Sequence, residues 1–204
     1  MSLNTHDLFI NLRELYSLNN KQLTQMQTLA DATLPINRQH NLLSKIDVGK
    51  LWITLASDSM AAFPYLPDSG RVLDVGSGNG MPGLLLAIAR PDLSFVLTEA
   101  VNKKARLLEQ LRTAAGIENA IVWPNTVQSL LSEPFSAITA RAVAPLPTIW
   151  MWTSRLRKEK TRYILFRGST ELQINNVPPP GLNELSRQVL EKIVLWVGEV
   201  SISG

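Results

Sequence analysis

The residues best able to do chemistry in this chain begin at a glycine loop. The segment Gly76-Ser-Gly-Asn-Gly-Met-Pro-Gly83 follows a short apolar run, Val72-Leu73-Asp74-Val75, that has strand length. Gly76 and Gly78 let a backbone turn tightly off a strand and bring N–H groups against a ligand, and Gly80 lets it turn into a helix. A nicotinamide fingerprint wants glycine at its first, third and sixth positions. Counted from Gly76, the sixth position is Met81, and glycine stands at the fifth. No Gly-Lys-Ser/Thr follows, so the loop is not that of a nucleoside triphosphatase.

The arrangement Asp74-x-Gly76-x-Gly78-x-Gly80 suits S-adenosylmethionine better. That ligand has no pyrophosphate to cradle; an amino acid end, a sulfonium and a nucleoside pass over the loop. Asp74, Gly76, Ser77, Gly78 and Gly80 are therefore cofactor-binding candidates. Glu99 lies 23 residues beyond Gly76, at the end of the next apolar run, Ser94-Phe-Val-Leu-Thr98. A carboxylate there can accept hydrogen bonds from two ribose hydroxyls.

The elements that must hold these residues follow from the hydrophobic pattern. Leu8, Phe9, Leu12, Leu15 and Tyr16 share a helical face that stops at Asn19-Asn20. Leu23, Met26, Leu29 and Ala30 predict a second helix ended by Pro35. A third starts near Asp47, a good N-cap, and buries Val48, Leu51, Trp52 and Leu55. From Arg71 onward strands and helices alternate: strands at 72–75, 94–98, 120–123, 135–140 and 162–166, helices at 84–89, 102–115, 147–157 and 169–175. Val177-Pro-Pro-Pro-Gly181 is a loop, and 189–197 and 200–203 read as closing strands. Alternation of this kind predicts an α/β chain with a parallel, doubly wound sheet. The expected division is a helical extension over 1–66, packed on a cofactor-binding domain over 67–204.

Composition narrows the chemistry. Among 204 residues there is no cysteine and there are two histidines, His6 and His40, which disfavours disulfides, thiolate metal sites and a Ser-His-Asp triad. No metal is expected. The chemistry should come from a cofactor. A formal charge of +3 permits an anionic partner without demanding one. The start lacks a signal-peptide pattern, and no apolar run approaches the ~20 residues of a membrane span, so a cytoplasmic protein is expected.

Further motifs carry a family resemblance over about 37–168. They are Asn41-Leu-Leu-Ser-Lys-Ile46, Asp58-Ser59, the glycine loop with its Met-Pro-Gly extension, Lys103-Lys-Ala-Arg106 with Leu107-Leu108, Arg141-Ala-Val-Ala144 and Arg167-Gly168. With these the chain resembles the RsmG (GidB) family, bacterial methyltransferases that modify N7 of a guanine in 16S ribosomal RNA. The resemblance implies a Rossmann-like class I methyltransferase fold, with a mostly parallel seven-stranded sheet, helices on both faces and an N-terminal helical cap. It also implies cofactor contacts from Gly76 and Met81, a ribose contact from Glu99, and an adenine pocket lined by Val127 and Gln128. Arg141 would reach cofactor or substrate from the end of the fourth strand and is the catalytic candidate.

Three positions depart from the family pattern. Thr126-Val-Gln128 replaces Arg-x-Glu, Leu55-Ala-Ser57 replaces a stretch containing Arg-His, and Arg167-Gly168 replaces Lys-Gly. The partner implied is ribosomal RNA or the small ribosomal subunit, contacted through Arg38, Asn41, Lys45, Arg141 and Arg167. Lys103, Lys104 and Arg106 are assigned to a solvated helix face ahead of RNA. Trp52, Trp150 and Trp152 are assigned to core packing ahead of base stacking. No membrane partner is expected, and nothing points to obligate association, so a monomer is expected. A class I methyltransferase of small molecules, or a module that binds the cofactor without transferring its methyl, remains open alongside.

Overall fold

The computed structural model describes residues 5–40, 48–168, 177–190 and 193–201, apart from the side chains of 5–6, 34–40, 48–49 and 51. Three helices lead: α1 (Thr5–Tyr16), α2 (Asn20–His40) and α3 (Val48–Met60). The sheet then begins with β1 (Arg71–Val75), followed by α4 (Gly83–Ala89), β2 (Ser94–Thr98), α5 (Asn102–Ala114) and β3 (Ala120–Trp123). The rest is β4 (Phe135–Arg141), α6 (Leu146–Trp152), β5 (Arg157–Gly168), β6 (Leu182–Val189) and β7 (Ile193–Val200).

The strands form one seven-stranded sheet in the order β3-β2-β1-β4-β5-β7-β6. The first five run parallel, and β7 inserts antiparallel between β5 and β6. Chain order runs outward from β1 to β2 and β3, then restarts on its other side with β4. The gap beyond the carboxyl ends of β1 and β4 is therefore the topological switch point, where ligands of open α/β sheets bind.

Burial on both faces explains why β1 reads as a continuous apolar run. Val72 joins one core, with Phe95, Leu97, Ile164, Phe166, Leu195 and Val197 and with residues of α1 to α5. Leu73 and Val75 point the other way, into a second core with Val96, Ile138, Tyr163, Leu165, Trp196 and the α6 residues Leu146 and Ile149. The leading helices thus share a core with the sheet. All seven residues of α4, which the glycine loop feeds, are buried.

Several predicted boundaries move, each for a local reason. Leu15 is 73% exposed, off the buried face of α1. Asn19 starts α2 where a stop was expected: its N–H donates to Gln22 Oε1 at 2.8 Å and its Oδ1 accepts from the Gln22 N–H at 3.0 Å, a reciprocal cap. Helix α2 continues through Pro35 to His40. One proline removes a single intrahelical donor, which a helix packed on others can tolerate. Helix α6 ends at Trp152 and not at 157. Arg157 already belongs to β5, and its guanidinium lies 3.4 Å from the Trp150 ring centroid.

The closing strands sit at 182–189 and 193–200 in place of 189–197 and 200–203. Only Leu182 of the edge strand β6 is buried, so it lacks the apolar alternation that would announce it. Asp47, the helix expected at 169–175, and the side chains of Val48 and Leu51 lie outside the described residues. Among the described residues no helix is long and apolar enough to cross a membrane.

Candidate active site

The glycine loop is wired to its neighbours mainly through backbone. The Ser77 N–H donates to the Thr98 carbonyl at 2.9 Å, and the Gly80 N–H to the Ser77 carbonyl at 2.7 Å. Thr98 Oγ1 and Ser77 Oγ both donate to the Asp74 carbonyl at 3.2 Å, tying the end of β1 to the loop and to β2. Gly76, at φ +66°, lies where a Cβ would stand 2.7 Å from Val143 Cγ2. The loops after β1 and β4 therefore interlock, and only glycine permits it. Ala142, beside Val143, is held at φ +51°, a strained backbone for a side-chain-bearing residue and of a kind that concentrates at functional sites.

Between these loops lies a cavity of about 630 Å³, within the roughly 300–1,000 Å³ common for small-molecule sites. Gly76, Ser77, Gly78 and Met81 line it from the loop, Glu99 from the end of β2, Val127 and Gln128 from the segment after β3, and Arg141 from the end of β4. The sequence-predicted contacts thus meet in one place. Lys104 is the member of the basic α5 trio that reaches this wall.

Glu99 is 7% exposed and already oriented. Its Oε2 accepts the Gly78 N–H at 3.1 Å and its Oε1 the Val101 N–H at 2.8 Å. Each carboxylate oxygen has a second lone pair, so the group can still accept from a ligand diol. A Cβ on Gly78 would have only Gly76 O at 3.8 Å and Glu99 Oε2 at 3.9 Å for neighbours. Bare backbone and an oriented carboxylate share this wall, a surface suited to a ribose and its nucleoside. These residues fit S-adenosylmethionine.

Asp74 and Gly80, predicted as contacts, stand behind the loop and do not line the cavity. Asp74 is fully buried, and Thr139 Oγ1 donates to its Oδ1 at 2.7 Å. Its Oδ2 makes no hydrogen bond of good geometry, although Ser77 and the Gly83 N–H stand near. Burial, the dominant effect, pushes the carboxyl up to about 6 against the lowering influence of those donors. Its place in the fold is to brace the loop from beneath. Arg167 is 4% exposed on β5 and is not a wall of the cavity. The side chain of Arg38, and all of Asn41 and Lys45, lie outside the described residues, as does the His40 side chain.

Arg141 is held from three sides. Its Nη2 donates to Asp58 Oδ2 at 2.8 Å, its Nη1 reaches the Leu55 carbonyl at 3.5 Å, and its Cζ lies 5.5 Å from the Phe166 ring centroid. One residue along α3, Ser59 Oγ contacts Met81 Sδ at 3.8 Å. The Asp58-Ser59 pair therefore fastens one wall from β4 and one from the glycine loop.

Comparison with known proteins gives the family. Residues 22–178 match the model of the GidB family, described as rRNA small subunit methyltransferase G. The chain is 33% identical over 153 residues to the ribosomal RNA small subunit methyltransferase G of Salmonella schwarzengrund, covering 74% of this chain and 73% of that protein. The chain belongs to the rRNA small subunit methyltransferase G family. The Salmonella agona relative matches to the same extent.

Solved structures with the same fold include a mutant of MtNAS in complex with S-adenosylmethionine, at TM-score 0.59 and 15% identity, covering 96% of this chain and 78% of that one. TrmN from Thermus thermophilus aligns at TM-score 0.55 and 18% identity, covering 72% of this chain and 48% of that one. The fold is Rossmann-like, with an antiparallel strand inserted at one side of a mostly parallel sheet. As a member of the rRNA small subunit methyltransferase G family, the chain is an S-adenosylmethionine-dependent methyltransferase of ribosomal RNA.

Several cavity walls of this family member escaped the sequence reading, Asn79, Ala100 and Asn125 among them. Leu55 and Trp152 were assigned to core packing, yet both are only partly buried and line the cavity. Their helical apolar spacing is the same as that of truly buried positions such as Trp52, which is 1% exposed. Trp150 packs, as assigned, tilted against Tyr163 at 5.4 Å. Val143, which locks Gly76, lay in the Arg141-Ala-Val-Ala144 motif without a role attached.

Proposed function

We propose that the protein transfers the methyl group of S-adenosylmethionine to N7 of a guanine in 16S ribosomal RNA, with Arg141 as the residue that orients the base. The cofactor supplies an electrophilic methyl on a sulfonium. Gly76, Ser77, Gly78 and Met81 would hold its amino acid end and sulfur region, Glu99 its ribose, and Val127 and Gln128 its adenine. Gln128 retains both a donor and an acceptor for the adenine edge, although the family's usual glutamate is absent.

The observation that carries the choice of N7 is the makeup of the cavity wall. Its ionisable side chains among the described residues are Glu99, Lys104 and Arg141, and Glu99 is tied to two backbone N–H groups. Among the described residues the wall has no histidine, and its one carboxylate is already engaged, which leaves little to take a proton from an exocyclic amine or a hydroxyl. Guanine N7 has an in-plane lone pair and no proton to lose, so its methylation needs only alignment and exclusion of water. Such orientation can lower a barrier by up to ~7–11 kcal/mol. Arg141 acts on O6 or a neighbouring phosphate and leaves N7 open, because a hydrogen bond there would occupy the attacking lone pair.

The RNA or small subunit approaches over the strand ends, where Lys104 supplies a basic contact; Arg38, Asn41 and Lys45 are RNA contacts by the family resemblance alone. Buried Arg167 supports β5 and contributes to this surface only indirectly. The enzyme works in the cytoplasm, where that RNA is. In this reading the protein acts as a monomer.

The test is Arg141→Ala. Affinity for S-adenosylhomocysteine, measured by calorimetry, should stay within about tenfold of wild type, while methyl transfer to small ribosomal subunits falls about 100-fold or more. Wild-type turnover by the variant would remove Arg141 from the chemistry.

A further inference from the structure

The geometry points to Asp58 on α3 as the positioning residue that sets the guanidinium of Arg141 for methyl transfer. The inference rests on the orienting role given to Arg141 above. An arginine side chain has roughly 2 kcal/mol of rotamer freedom, and an orienting group that samples its rotamers aligns nothing. Here that freedom is removed by Asp58. The ion pair of Nη2 with Asp58 Oδ2 is 2.8 Å long, and the two side chains are 15% and 10% exposed. Charge-assisted hydrogen bonds so sheltered are the strong kind. The Leu55 carbonyl at 3.5 Å and the Phe166 ring at 5.5 Å fix the remaining orientation.

Two of the five guanidinium N–H donors are engaged by Asp58 and Leu55, both on α3. The donors that remain belong to a group whose plane and position are already determined before substrate arrives. The pairing has an electrostatic consequence as well. A lone guanidinium at this wall would be drawn to any anionic group entering the cavity, including the carboxylate of the cofactor. With Asp58 bonded to it, the pair presents directed N–H donors and little net charge. Asp58 thereby directs Arg141 toward a neutral acceptor such as a base oxygen.

Helix α3 also carries Ser59, whose Oγ meets Met81 Sδ, and Leu55, which lines the cavity itself. The Arg141 wall and the Met81 wall are therefore referenced to the same helix, and a displacement of α3 would move both together. Asp58 touches neither substrate nor cofactor in this scheme. It acts through Arg141.

A double-mutant cycle on the intact enzyme tests this. Single-turnover methyl transfer to small ribosomal subunits, and calorimetric affinity for S-adenosylhomocysteine, are measured for wild type, Asp58→Asn, Arg141→Ala and the double variant. Asp58→Asn alone should slow transfer about 10- to 100-fold, with cofactor-product affinity within about threefold of wild type and the loss in kcat larger than the change in KM. In the Arg141→Ala background the same change should cost less than about twofold, because the residue it acts through is gone. Asp58→Glu, which keeps the charge at a longer reach, should recover part of the lost rate.

An equal loss from Asp58→Asn in both backgrounds, or wild-type transfer by Asp58→Asn, overturns the inference. If Asp58→Asn gives no cooperative melt, Asp58→Glu takes its place in the cycle under the same criterion. The methyl-transfer reading itself fails in a different way, with no label passing from S-adenosylmethionine to subunits in the wild-type arm.

Discussion

Replacing Gly78 by Ala separates ligand binding from folding more cleanly than any other single change in the loop. At φ +53° an alanine must adopt the left-handed region, at a cost of roughly 1–2 kcal/mol. No clash adds to this, since the new Cβ meets nothing nearer than Gly76 O at 3.8 Å and Glu99 Oε2 at 3.9 Å. For a chain of this size each 1 kcal/mol moves Tm by about 2–4 °C, so a drop of about 2–8 °C is expected. The methyl, however, stands in the cavity beside the carboxylate proposed to hold the ribose. Carbon contacts need about 3.5–4.0 Å, so the nucleoside must back away from Glu99. Calorimetric titration with S-adenosylhomocysteine should show at least tenfold weaker binding, about 1.4 kcal/mol.

Gly83→Ala is the matched control. Its Cβ would stand 2.5 Å from Asp74 Oδ2 and 2.9 Å from Leu97 Cδ2, beneath the loop. Overpacking there should destabilise the fold by about 1–3 kcal/mol while the folded fraction keeps its affinity. Wild-type affinity in Gly78→Ala would refute the placement of the nucleoside against this wall.

Two further changes probe the carboxylates. Glu99→Gln removes the charge proposed to face the ribose and sets an amide donor against a backbone N–H; affinity for S-adenosylmethionine should fall about 10- to 100-fold, and unchanged binding would contradict the ribose role. Asp74 is raised from 3.8 to about 6 in the folded state, so ionising it disfavours the fold as pH climbs through that window. The penalty is absent below pH 4 and complete above pH 6, and at 1.36 kcal/mol per pKa unit it totals about 3 kcal/mol. Urea unfolding should therefore show wild type losing stability relative to Asp74→Asn as pH rises from 4 to 7. Parallel pH profiles for the two proteins would sink that account.

The parallel half of the sheet was legible because burial on both faces writes unbroken apolar runs, as in Val72 to Val75, and because glycines punctuate their ends. The proposed cofactor wall was legible for a related reason. Backbone contact demands Gly76 and Gly78, and a strand-end acid is recognisable as Glu99 by its distance from them. Sequence spacing could not tell which loop residues face the ligand and which face the core, so Asp74 was placed among the contacts although it lies beneath them. Helical periodicity likewise cannot distinguish a core from a cavity, since both are lined by the same apolar side chains; Leu55 and Trp152 are the cases in point. Strand β6 was misplaced because an exposed edge imposes no alternation on Leu182–Val189. The Asp58–Arg141 pair spans 83 positions of chain, and no local pattern announces a contact of that range.

The central claim is that this cavity delivers a methyl group to N7 of a guanine in small-subunit RNA. Small ribosomal subunits from cells lacking the enzyme, incubated with the protein and methyl-labelled S-adenosylmethionine, can be digested to nucleosides and separated by mass. The account predicts label recovered as 7-methylguanosine from one 16S site. Label on another atom of the RNA, or none on the subunits while a small molecule accepts it, would contradict the account.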